Sequence, residues 1–163
     1  MDRQTALDQM KKYFNDSHMI DHTEQVLGAA DAILDGDTIA GEFLRKVVIL
    51  SCIYHDIGIP EAKRIHGSSD GPFQEKEGAV IARKLLGELE ERPDLLERVC
   101  FIVGKHHTHE SIDGLDFQIV WEADMLVNLK SGYAKPDVPV GEFIAANFQT
   151  KTGQKLAADR LAS

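Results

Sequence analysis

The stretch Val47-Val48-Ile49-Leu50-Ser51-Cys52-Ile53-Tyr54 constrains the fold more than any other part of this chain. It is apolar nearly all round and then ends at His55-Asp56-Ile57-Gly58. Its β-branched residues would suit a buried strand, but no second segment offers a strand to pair with it. A central buried helix is therefore predicted from about Gly41 to Asp56, with Gly58 and Pro60 as its stop.

The rest of the chain carries helical spacing almost throughout. Ala6, Leu7, Met10 and Phe14 predict a helix over 3–14, and Asn15-Asp16-Ser17 interrupts it and supplies a cap for the next. That second helix is predicted over 17–35, with Val26, Ala29, Ala30 and Ile33 as its apolar stripe and Asp35-Gly36-Asp37 as its close. Residues 61–73 read as a long loop around Gly67-Ser68-Ser69-Asp70-Gly71-Pro72, the kind of segment that forms lids or binding loops. Further helices are predicted over 74–90, 93–107 and 117–131, followed after Pro136 and Pro139 by shorter pieces over 140–148 and 153–162.

Composition narrows the function classes. A net charge of −9 argues against a broad grip on a nucleic-acid backbone, which needs clustered Lys and Arg. A small anionic substrate stays compatible, because a bound cation reverses the local field. No apolar run reaches the length of a membrane span, and Met1 to Met10 is polar and unlike a secretory signal. The two cysteines, Cys52 and Cys100, sit in apolar helical stretches and read as buried free thiols. Together these features point to a cytoplasmic protein.

Two carboxylates are anomalous. Asp56 ends the most apolar helix, where a charge has little reason to stand unless something cationic awaits it. An imidazole and a carboxylate side by side, as in His55-Asp56, suit a divalent ion such as Mn, Fe, Co, Ni or Zn. Asp124 falls on the same side of its helix as Val120, Ala123 and Val127, the core-facing side. A carboxylate there must be paired with a buried Arg or Lys, hydrogen-bonded or metal-bound. His18, four residues before His22, reads as a partly exposed histidine, and His66 and His109 lie in polar segments with no ligand role. Trp121 reads as core, and Lys63, Lys76, Arg83 and Lys105 are basic side chains that a small anionic substrate would contact.

The ordered set Asp21-His22-Thr23 with Val26, then His55-Asp56-Ile57-Gly58, then Glu122-Ala123-Asp124 with Leu126 resembles the HD-domain metal-dependent phosphohydrolases over roughly residues 10–130. The resemblance implies an all-α, single-domain helical bundle of HD-domain type over 1–163, with C-terminal helices from about residue 139. It implies that His22, His55, Asp56 and Asp124 ligate one divalent transition metal ion, and that activated water attacks phosphorus in a small phosphate ester, such as a nucleotide. Lys63, Lys76, Arg83 and Lys105 are then candidate phosphate contacts. Asp56 is then placed to touch both metal and water and to accept a proton. Some members hold a second metal with further histidines, and His106-His107 match that pair, but Gln74 stands where the completing histidine belongs. An amide oxygen is a weak donor, so a loosely held second ion is expected, with His106 and His107 as substrate-phosphate contacts or simply as surface or helix-capping histidines. Thr108-His109-Glu110-Ser111 follows His107 in place of the glycine-tyrosine-proline motif of cyclic dinucleotide phosphodiesterases, which disfavours that subtype. The alternatives are a mixed-valent diiron oxygenase on the same scaffold and a non-catalytic regulatory domain with a structural metal.

Overall fold

The fold is known from a computed structural model that describes residues 2–89 and 91–162. Among those residues it is all helical, with no strand. The helices are α1 (Arg3–Tyr13), α2 (Ser17–Gly36), α3 (Glu42–Tyr54), α4 (Ile59–His66), α5 (Gly71–Glu88), α6 (Pro93–Val103), α7 (Leu115–Ser131), α8 (Val140–Asn147) and α9 (Lys151–Leu161), with a short 3-10 turn at His109–Ser111.

The apolar run takes the central position its composition demands. Helix α3 packs against α1, α2, α6 and α7, and Val47, Val48, Leu50, Cys52, Ile53 and Tyr54 are all buried. Beyond Lys46 the helix has no polar face to present to water, so that half of α3 is stable only when covered on several sides. Asp16 caps α2 by accepting the His18 backbone N–H, and the stripe Val26, Ala29, Ala30 and Ile33 is buried as its spacing requires. Helix α7 lies along α2 and α3 and turns Val120, Ala123 and Val127 inward. Both cysteines are free and buried.

The expected loop over 61–73 is a correction. Residues 59–66 form α4, the link to α5 is only 67–70, and α5 starts at Gly71. Pro60 and Pro72 both sit in the first turn of a helix, where proline's missing N–H costs nothing. Glu61 in the first turn, with Lys63, Arg64 and His66 in the last, suits the helix dipole, and Gly67 ends α4 in the left-handed conformation at φ 69°. Gly58 and Pro60 therefore mark one helix ending and another beginning at once. A Cβ on Gly58 would lie 2.3 Å from the Gln74 carbonyl oxygen and 2.4 Å from the Gly78 nitrogen, so its lack of a side chain lets α5 pack against the start of α4.

The C-terminal helices are tied to α7 by a buried carboxylate. Glu122 accepts hydrogen bonds from the Gln149 and Thr150 backbone N–H groups, the Thr150 hydroxyl and the Gln118 amide. Asp37, at the end of α2, accepts from the Lys151 and Thr152 N–H groups and the Thr152 hydroxyl, covering the first turn of α9. Among the described residues no helix is long and apolar enough to cross a membrane.

Candidate metal centre

Where α3 ends, tight turns carry the chain into α4: the Ile57 N–H donates to the Tyr54 carbonyl and the Ile59 N–H to the Asp56 carbonyl. These turns leave His55 wholly buried, at 0% exposure, and Asp56 beside it at 7%. Helix α2 brings His22 and helix α7 brings Asp124 to the same place. His22 Nε2 lies 3.1 Å from Asp124 Oδ1 and 3.3 Å from Asp56 Oδ2. His55 Nε2 lies 3.1 Å from Asp56 Oδ2 and 3.4 Å from Asp124 Oδ1. The four sequence-predicted ligands thus converge from two helices, α2 and α7, and from the α3–α4 turn.

The direction of the imidazoles fits a cation. His55 Nδ1 donates to the Cys52 carbonyl at 2.7 Å, and a carbonyl can only accept. Nε2, buried and facing two carboxylates with no well-directed hydrogen bond to either, carries a proton when no ion is present and a lone pair when the ring is neutral and free to ligate. Lone pairs and carboxylate oxygens converging in a buried space repel unless a positive charge lies among them. Two donors about 2.1 Å from one ion stand about 3.0–3.4 Å apart, which the distances here match. Backbone carbonyls that fix a ring's tautomer are the usual outer support of a ligating histidine.

Burial favours the neutral His55 imidazole, but Asp56 and then Asp124 outweigh it and hold the ring well above its ordinary value, so that without an ion a proton stands where a cation would take its place. Burial pushes the Asp56 and Asp124 carboxyls up, but the imidazoles beside them, His55 foremost, hold both well below the ordinary carboxylate range. Both residues are therefore carboxylates at neutral pH. Neither has a Lys or Arg partner among the described residues, so Asp124 is not the buried Arg or Lys ion pair.

A second group adjoins the first through Asp56. His106, at 4% exposure, follows the end of α6 and places Nε2 3.4 Å from Asp56 Oδ1. Its Nδ1 donates to the Val103 carbonyl at 2.7 Å, repeating the His55 arrangement, and its Nε2 is likewise buried without a hydrogen bond. Donor atoms of Asp56, His106 and His107 lie within 4.8 Å of one another, as do those of His22, His55 and Asp56. His107 is exposed on the cavity side; loss of hydration there, then the charge of His106, pushes its imidazole down to about 4. Gln74 is buried, donates its amide N–H to the Ser69 carbonyl, and leaves Oε1 without a partner.

His22, Asp56, Gln74, His107 and Asp124 line a cavity of about 470 Å³ that also takes in Lys63, Ser69, His18 and Tyr133, with His55 and His106 buried behind them. Of the candidate basic contacts only Lys63 lines it; Arg83 is paired with Glu97, and Lys76 and Lys105 lie outside the lining. His18 is exposed at the cavity, whereas His66 sits in the last turn of α4, bonded to Glu77 and stacked on Phe73. Trp121 packs against His109 and does not line the cavity. Sequence reasoning missed Glu75, a buried carboxylate that accepts the His107 N–H and the Thr108 hydroxyl, both at 2.9 Å, and so holds the histidine turn against α5. It also missed Tyr133, for which Ser131-Gly132 was the available signal: Gly132 ends α7 at φ 80° and turns the next residue back over the cavity.

Comparison with known proteins agrees with this arrangement. No curated protein matches the chain. A solved structure, described as a predicted HD superfamily hydrolase from an uncultured Thermotogales bacterium, is similar with a TM-score of 0.69 and 24% identity, covering 98% of this chain and 84% of that one. At that identity the likeness speaks for the fold. Residues 19–144 match the HD domain, a span that contains His22, His55, Asp56, His106, His107 and Asp124. The chain belongs to the HD domain family.

Proposed function

We propose that this protein is a metal-dependent phosphohydrolase acting on a small phosphate ester, with His22, His55, Asp56 and Asp124 as ligands of one divalent ion. The observation that carries this reading is the convergence of His22 Nε2 and the buried His55 Nε2 on Asp56 and Asp124, with carboxylate oxygens 3.1 and 3.4 Å from His55. When bound, the cation lowers the pKa of water toward neutrality and offsets charge on the phosphoryl group.

The chain's own residues supply the rest. Asp56 is the one residue common to both donor groups, with Oδ2 toward His22 and His55 and Oδ1 toward His106. From there it orients the attacking water and takes its proton. His106, buried behind Asp56, holds that carboxylate in place, and His107 and Lys63, which line the cavity, bind phosphate oxygens. The cavity's size suits a metabolite more than a polymer.

The test is a panel of phosphomonoesters and phosphodiesters offered to protein loaded in turn with Mn, Fe, Co, Ni and Zn. Release of phosphate or alcohol that depends on metal and is lost in Asp56→Ala supports the reading. A protein that binds metal and hydrolyses none of them contradicts it.

A further inference from the structure

The outer half of the cavity differs in character from its inner end. Asp56 and His55 are enclosed, whereas Tyr133 is 76% exposed and stands at the rim with its ring centroid 6.4 Å from that of His18 at a 49° tilt. Met19, Met125 and Ile59 line the same cavity as these rings and the proposed ligands, together with the polar Asn128. His18 is one helical turn before His22, and Met125 is next to Asp124, so the two helices that carry proposed ligands also carry His18, Met19 and Met125, while Ile59 comes from the start of α4.

From this juxtaposition we infer that the rim is a subsite for the leaving group of the substrate, that it selects a planar aromatic group over a small aliphatic one, and that Tyr133 and His18 are the residues that set the preference. The inference rests on the phosphohydrolase reading and specifies the substrate class for that same site. A planar group held on a phosphate at the inner end meets the tilted His18–Tyr133 pair, stacking on one ring and presenting its edge to the other. The thioethers of Met19 and Met125 adapt to the ring's outline and add sulfur–aromatic contact. An exposed tyrosine loses little on being covered, because its ring is a large apolar surface with few degrees of freedom to freeze. An aliphatic leaving group would leave both rings in water.

The experiment compares two non-hydrolysable probes, phenylphosphonate and methylphosphonate, by calorimetric titration of the full chain loaded with Mn. The readout is the ratio of their affinities, which is independent of turnover. The wild type is expected to favour phenylphosphonate about tenfold, with the ratio near unity in Tyr133→Ala, reduced in His18→Ala and kept in Tyr133→Phe. Equal affinities in the wild type, or a ratio unchanged in both alanine variants, would overturn the subsite and leave the phosphohydrolase reading standing. Failure of both phosphonates to bind the metal-loaded protein would overturn both, because no phosphoryl group is then recognised.

Discussion

His22 Nε2 and Asp124 Oδ1 stand 3.1 Å apart although 102 positions separate them in the chain. The contact exists because α2 and α7 lie side by side, and the apolar stripe of each faces the core on either side of the polar pair. The polar site is thus set into the seam between these two helices. Replacing Asp124 by Asn keeps the volume and removes the charge. Metal affinity is expected to fall at least about tenfold, equivalent to about 1.4 kcal/mol, with the fold intact. Titration of the apoprotein with metal measures it, and an unchanged affinity would remove Asp124 from the ligand set.

Much of this arrangement was legible in the sequence, for reasons that differ by residue. Val47 to Tyr54 could only be a buried element, so His55-Asp56 at its end had to be inside the molecule. Asp124 betrayed itself by sharing a face with Val120 and Val127. The segment 61–73 misled because glycine and proline punctuate both ends of helices, and Pro60 and Pro72 turned out to begin them. Glu75 was illegible: its partners include a backbone N–H more than thirty positions away, and a main-chain donor has no sequence signature. The same holds for the Cys52 and Val103 carbonyls that orient His55 and His106.

Gly58 permits a close approach of two backbones. Its φ is −78°, so conformation does not require glycine there; space does. Gly58→Ala would press a methyl group against the Gln74 carbonyl and the Gly78 nitrogen. A loss of about 1–3 kcal/mol is expected from overpacking against main chain that cannot swing aside. Urea denaturation measures it, and a loss near zero would mean that α5 shifts freely.

Asp37 links stability to pH. Burial alone would push its carboxyl up, but the Thr152 hydroxyl and the Thr152 and Lys151 N–H groups outweigh that and hold it below the ordinary value of 3.8. A lowered folded pKa means that the unfolded chain takes up the proton first as pH falls. The stabilisation is therefore complete above about pH 5 and is lost as acid takes the protein through the folded pKa. Asp37→Ala should cost about 1 kcal/mol at neutral pH through loss of these helix-end contacts. It should also flatten the acid limb of the Tm against pH curve. An acid limb unchanged in the variant would assign the effect to other carboxylates.

The second donor group has two histidines, a shared carboxylate and Gln74 close by, whose amide oxygen is a weak ligand. The wild type should keep one metal per chain after exhaustive dialysis, and Gln74→His should raise that toward two. Two retained ions in the wild type would contradict the weak second site and favour the diiron oxygenase alternative. One ion in both proteins would show that position 74 does not reach the second site.

Asp56 and its neighbours are proposed to hold a metal on which activity depends. The most direct test is the metal content of dialysed wild type and Asp56→Ala, measured by elemental analysis on folded protein. The expected result is about one ion per chain in the wild type and essentially none in the variant, whose phosphate-ester hydrolysis is lost with the metal. A variant that keeps its full metal content and full activity would contradict the account.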